Sequence, residues 1–245
     1  MRMFNTLSEA AYEIRRDLAK GPRLTSTRVQ QRTGQELPGR ERIAYAYTLT
    51  GGIPEEAPEL VSLAAHWGFP LYQKYPEEMQ VWLQREKIHR EYPQDFLGQP
   101  FLEADHPALK TTLEGQAPSY TYRERLVGAQ QSLVSSLIAN LDSRRAYWPI
   151  FGQLDALRSA QPTRVPCSLG YQAMIRQVSD HQELMLFYLQ RSCDFDHFWL
   201  SDVWFARQFQ LSLLQDPKLD HVRPGHLVHF IVSLHSFTVE GTEIY

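Results

Sequence analysis

The chain has 245 residues, 43% of them hydrophobic and 22% charged, with a formal net charge of −3. These proportions exclude an intrinsically disordered or fibrous chain. The near-balance of Lys+Arg 25 against Asp+Glu 28 argues against general nucleic-acid binding or adsorption to an anionic membrane, while leaving room for a local basic pocket.

In chain order, Phe4, Leu7, Ala11, Ile14 and Leu18 recur at helical spacing, and Gly21-Pro22 ends that helix. A loop with Arg28, Arg32, Gly34 and Pro38-Gly39 follows. Ile43 to Leu49 alternates like a strand, and residues 51–58 form a Gly/Pro/Glu loop. Leu60 to Trp67 predicts a short helix, and Pro76 opens another through about Arg90, proline being favoured in a first turn. Residues 92–118 carry prolines without a period and predict surface loop. Tyr122 to Leu141 predicts one amphipathic helix. Strands are expected over 146–151, 166–178, 184–191 and 226–237, with a helix over 199–215. No repeat or linker divides the chain, so residues 1–245 are expected to form a single α+β domain, a mixed β-sheet covered by helices.

Cys167 and Cys193 are too few for a disulfide framework, and the paired spacings of a zinc site are absent, so no metal is expected. The N-terminus lacks the apolar run of a signal peptide, and no stretch approaches the roughly 20 apolar residues of a membrane span. A cytoplasmic protein without membrane contact is the expectation.

Three segments carry chemistry: Asp142-Ser143-Arg144-Arg145, Pro166-Cys167 and Gln190-Arg191-Ser192-Cys193-Asp194. Adjacent arginines suit a dianion, because guanidinium forks match phosphate oxygens bidentately. Arg191 beside the Ser192 hydroxyl repeats that chemistry. A cysteine entering a strand after a proline can be an exposed nucleophile, and nearby arginines favour a thiolate.

In order and spacing the chain resembles the thymidylate synthase superfamily, with its D-S-R-R motif, P-C nucleophile, Q-R-S-x-D motif and a G…H-x-Y strand, here Gly225…His235-Ser236-Phe237. Tyr120-Thr121-Tyr122 resembles the active-site tyrosine before the family's long helix, and Arg32-Thr33-Gly34 its phosphate-binding loop. The likeness is good over about 120–237, loose over 5–50 and poor over 51–119. It implies a thymidylate-synthase-like fold and a homodimer in which Arg144 and Arg145 cross the interface. It implies a pyrimidine nucleoside monophosphate as substrate and 5,10-methylenetetrahydrofolate as one-carbon donor. Cys167 would be the nucleophile at C6; Arg32, Arg144, Arg145, Arg191 and Ser192 would hold the 5′-phosphate, and His235 the sugar. Tyr122, Gln190 and Asp194 would belong to the same site, and Cys193 would be structural.

The residue eight after Asp194, an asparagine in thymidylate synthases, is Asp202 here. An ionised carboxylate only accepts hydrogen bonds, which suits the amino group of cytosine rather than uracil O4. Together with Ser233-Leu234-His235, this makes the chain similar to the dCMP/CMP hydroxymethylase branch. A thymidylate synthase, a dUMP hydroxymethylase, a dCMP methyltransferase and a non-catalytic nucleotide-binding homologue remain alternatives. The chain departs from the family at Phe237, which replaces the H-x-Y tyrosine, and at Arg123, which replaces a glycine. It also departs in the short segment after Phe237, where either Glu240 to Tyr245 serves as a reduced closing tail or folate use is altered or lost. The proton-relay glutamate of an E-x-x-W element is matched only by Glu78 of Glu78-Met79-Gln80-Val81-Trp82, one residue longer.

Overall fold

The computed structural model describes residues 1–24, 39–85, 122–159 and 165–236. Arg32, the 92–118 segment and the chain from Phe237 to Tyr245 lie outside these residues.

The first helix begins later than its periodicity predicts. Phe4 closes a short strand, β1 (Arg2–Phe4), and α1 runs Leu7–Ala19. The Thr6 side chain accepts from Glu9 N at 3.1 Å while the Glu9 carboxylate accepts from Asn5 N at 2.8 Å, so polar groups at 5–9 set the start that apolar spacing placed at Phe4. Next come β2 (Arg23–Leu24) and β3 (Gly39–Leu49). Gly21 lets the chain turn tightly between α1 and β3, because a Cβ there would lie 2.5 Å from the Glu41 carbonyl oxygen. Then follow α2 (Ala57–His66), α3 (Pro70–Lys74) and α4 (Pro76–Arg85). The helix expected over 122–141 is two, α5 (Tyr122–Leu126) and α6 (Ala129–Ala139), broken at Gly128 with φ 78°. After β4 (Tyr147–Pro149) comes α7 (Gln153–Arg158), like α3 too short to leave a periodic trace. The described residues close with β5 (Ser168–Val178), β6 (His181–Asp194), α8 (Trp199–Leu213) and β7 (Val222–Ser236).

Among the described residues the result is an α+β fold around one seven-stranded mixed sheet of order β1-β3-β7-β6-β5-β4, with β2 added to β3. β5 and β6 form an antiparallel hairpin, whereas β6 and β7 are parallel and joined through α8, as a parallel pair requires a crossover. No described helix is long and apolar enough to cross a membrane.

One row of the sheet breaks the two-residue alternation in four neighbouring strands. Pairing skips Ala44, which is left-handed at φ 55°, and continues from Ile43 to Tyr45 against Ser233 and Ile231 of β7. It skips Arg191 between Gln190 and Ser192 in β6, and β5 carries a bulge between Ser168 and Gly170. The buried face therefore shifts: Gln190 and Cys193 are buried in β6, Ile231 and Leu234 in β7. Bulges re-aim side chains. Here the re-aimed row contains the Q-R-S-x-D motif.

α8 is buried along nearly its whole circumference, which marks it as a core helix rather than an amphipathic cover. Trp199, Trp204, Phe205, Phe209 and Leu213 fill the space against β5, β6 and β7. Its buried amides are bonded: Gln208 donates to Glu55 O at 2.9 Å, and Gln210 to Leu184 O at 2.6 Å. α4 packs on it through Trp82, edge-on to Phe205 at 5.2 Å.

A partly buried ion pair ties α5 to α7 ahead of the cysteine. Arg125 Nη2 lies 2.8 Å from Asp155 Oδ1, and Asp155, only 1% exposed, also accepts from Gly152 N at 2.7 Å. Removing one partner leaves a buried charge uncompensated. Arg125→Met is therefore expected to lower the unfolding free energy by about 3 kcal/mol, read as a lower urea midpoint. An unchanged midpoint would show that the pair does not secure α7.

Candidate active site

Cys167 sits just ahead of β5, half-buried, and is held from two sides. From one side the buried Tyr122 hydroxyl accepts from Cys167 N at 3.1 Å and from Ser168 N at 3.3 Å. From the other, β6 grips the same loop. Arg191 N donates to Cys167 O at 2.8 Å, its Nε to Pro166 O at 2.8 Å and its Nη2 to Val165 O at 3.0 Å. The same Nη2 lies 3.8 Å from Cys167 Sγ. The arginine expected to bind phosphate thus spends two of its nitrogens on the cysteine loop and puts its charge beside the sulfur.

Gln190, adjacent in β6 and paired in register with Ser168, is fully buried. It donates through Nε2 to Asp202 Oδ2 at 2.7 Å. Asp202, 2% exposed, is reached by Cys193 Sγ at 3.7 Å as well. Cys193 is buried, in line with its structural reading. Ser192 is half-buried and pairs with Ser233.

The other expected residues spread out from this centre. Asp194 and His235 are register partners at the ends of β6 and β7. The Asp194 carboxylate closes the turn into α8, accepting from Asp196 N at 3.2 Å and His197 N at 3.3 Å, with Oδ2 2.9 Å from His197 Nδ1. Arg144 and Arg145 are exposed, on the lip of a surface cavity of about 700 Å³ lined also by Ser136, Asn140, Asp142 and Ser143. Arg144 O accepts from Gln172 of β5 at 3.0 Å, several residues along the strand from Cys167. Within one chain the arginine pair is therefore not brought to the sulfur. Glu78 is half-buried on α4, and among the described residues no hydrogen bond ties it to the Cys167 cluster.

Several polar residues that the sequence reading passed over complete the cluster. Ser168 Oγ lies 2.6 Å from Tyr188 Oη, and the Tyr188 ring stacks on His229 at 4.8 Å. His229 Nε2 is 2.7 Å from Gln190 Oε1, and its Nδ1 is 2.7 Å from Tyr47 Oη. The signal available in the sequence was a histidine within the strand run Leu227-Val228-His229-Phe230-Ile231, where two-residue alternation puts it on the same face as Leu227 and Ile231.

A second polar cluster lies where β6 enters α8. Burial pushes the Asp196 carboxyl up, against the Ser236 hydroxyl that donates to it and together with the nearby Asp194 charge. Burial alone would lower His197, but the Asp194 carboxylate outweighs it by charge and hydrogen bond, and the imidazole ends above its usual value. Arg15, over the Phe69 ring at 5.0 Å, is lowered by burial and opposed by Asp196.

No protein-family model matches the chain, and no curated protein matches it.

Both shifts in the second cluster act in the same direction on stability. A raised histidine stabilises fully below its unfolded range, and that contribution fades as pH rises through the folded value. A raised carboxyl carries no penalty in acid and an increasing one above the ordinary carboxylate range. The unfolding free energy is expected to fall as pH rises above about 6, and to fall less in His197→Asn. Equal slopes in denaturant titrations of the two proteins would remove His197 from this account.

Proposed function

We propose that the chain is a thymidylate-synthase-like pyrimidine nucleotide C5 one-carbon transferase, and specifically a hydroxymethylase of dCMP or CMP. The observation that carries this reading is the half-buried Cys167 thiol 3.8 Å from the Arg191 guanidinium, in a loop fixed on both flanks. A sulfur nucleophile needs access, a fixed approach and a neighbouring cation. The reading is further supported by Asp202, a carboxylate linked to Gln190 one residue along β6 from that arginine. As an acceptor it suits the exocyclic amine of cytosine.

In this reading the Cys167 sulfur adds to C6 of the pyrimidine and makes C5 nucleophilic. Tyr122 and Arg191 keep the cysteine backbone in place during the addition. Ser192 and Arg32 bind the 5′-phosphate with Arg144 and Arg145, Asp194 and His235 face the nucleoside, and Glu78 organises the water. The thiol–guanidinium pair fits an electrophilic one-carbon donor, since it activates the nucleotide carbon and supplies no carbon itself. Methylenetetrahydrofolate would provide that unit when bound. No described residue is assigned to hold it.

The distance of Arg144 and Arg145 from their own chain's cysteine supports a homodimer in which they serve the partner's phosphate. So does the apolar strip on the sheet face away from α8, where Met174, Met185, Phe187 and Leu189 are half-buried and Phe230 and Val232 are 38% and 42% exposed. Apolar surface of this kind marks a protein contact.

Incubation with dCMP, CMP or dUMP and methylenetetrahydrofolate, read by product mass, is expected to give a 5-hydroxymethyl cytosine nucleotide. Cys167→Ser should abolish turnover while calorimetry still detects nucleotide binding; full activity in that variant would end the nucleophile assignment.

The dimer has its own test. Cys167→Ser and the double variant Arg144→Ala/Arg145→Ala are each expected to be inactive. Refolded together in equal amounts they should recover about a quarter of wild-type activity, because half the dimers are mixed and each mixed dimer has one intact site. No recovery on mixing would place the arginines in their own chain's site.

A further inference from the structure

A one-way hydrogen-bond chain runs through the core to Asp202. Trp199 Nε1 is 2.7 Å from Tyr47 Oη, Tyr47 Oη 2.7 Å from His229 Nδ1, His229 Nε2 2.7 Å from Gln190 Oε1, and Gln190 Nε2 2.7 Å from Asp202 Oδ2. All five residues are buried. They come from β3, β6, β7 and α8, so the chain leaves the helix at Trp199, crosses the sheet and returns to the helix at Asp202.

Its direction follows from the first link. An indole nitrogen has a hydrogen and no acceptor, so Trp199 donates and Tyr47 accepts. The single Tyr47 proton is then free for His229 Nδ1. A neutral imidazole that accepts at Nδ1 carries its hydrogen on Nε2, which donates to Gln190 Oε1. That contact settles which end of the Gln190 amide faces the histidine, and its NH₂ is left to donate to Asp202. The Cys193 thiol, 3.7 Å away, points a further weak donor at the same carboxylate oxygen. The histidine ring cannot turn easily, because Tyr188 stacks on it at 4.8 Å and Tyr47 meets it edge-on at 5.4 Å.

We propose that Tyr47 and His229 are positioning residues that fix the base preference of the site. They hold the Gln190 amide with nitrogen toward Asp202, which keeps Asp202 an acceptor-only carboxylate. Without them the amide can reverse and present oxygen to the carboxylate. Two oxygens at 2.7 Å require a proton between them, and that proton neutralises Asp202, so its other oxygen attracts the cytosine amine less and repels the uracil carbonyl less. Tyr47 and His229 therefore favour the amino-bearing pyrimidine without touching it. This inference rests on the reading of Asp202 as the residue that meets the base.

The test measures dissociation constants for dCMP and dUMP by calorimetry in the wild type, Tyr47→Phe, His229→Gln and Asp202→Asn, with thermal unfolding of each. Tyr47→Phe is expected to reduce the preference for dCMP over dUMP about tenfold. His229→Gln, which can still accept on one side and donate on the other, should stay close to the wild-type ratio. A purely structural role would weaken both nucleotides together and leave the ratio alone. An unchanged ratio in Tyr47→Phe alongside a reduced one in Asp202→Asn would overturn the chain and leave the base reading standing. An unchanged ratio in Asp202→Asn would overturn both. Independently of any nucleotide, ¹⁵N spectra of the wild-type imidazoles should show His229 as the neutral Nε2–H tautomer; the Nδ1–H form would also overturn the proposal.

Discussion

A carboxylate in the first turn of a buried helix must be solvated by the protein, and the architecture around Asp202 follows from that requirement. Transfer of an ionised carboxyl into an apolar interior is prohibitive without donors aimed at it. The Asp202 amide itself is occupied, donating to Phe198 O at 2.8 Å. The donors come from β6, where the break in alternation turns both Gln190 and Cys193 toward Asp202. A strictly alternating strand would have turned Gln190 and Ser192 inward instead. The local irregularity of the sheet and the polar content of the core are thus one feature seen from two sides.

The same irregular row explains why Arg191 holds the cysteine loop. Skipped in the pairing with β7, its side chain reaches two carbonyls of the loop and the sulfur. A lysine's single ammonium lacks the fork by which Nε and Nη2 reach two separate carbonyls. The guanidinium is needed here for its shape as much as for its charge.

Much of the fold was legible in the sequence because long periodic elements advertise themselves. α8 and the three long strands β5, β6 and β7 fall where alternation or helical spacing put them. Short elements do not: α3 and α7 lack the two turns needed for a period. Phe4, apolar at helical spacing, belongs to an edge strand. Gly128 interrupts a pattern that read as one helix. At the site, motif order brought out Cys167, Gln190, Arg191 and Asp202, which the structure links through neighbouring β6 contacts. Tyr47 and His229 were missed, since a strand's period tells which face a residue takes but not what lies across the sheet. Their contact joins residues 182 positions apart.

The clamp on the cysteine loop has a consequence for how such a protein can diversify. The sulfur's place is set by main-chain carbonyls gripped from β6 and by a tyrosine of α5. The group on the far side of Gln190 is set by side chains of β3, β7 and α8. On the proposed reading, reactivity and ring selection are thereby lodged in separate parts, so the second can be retuned by exchanging interior side chains while the first keeps its geometry.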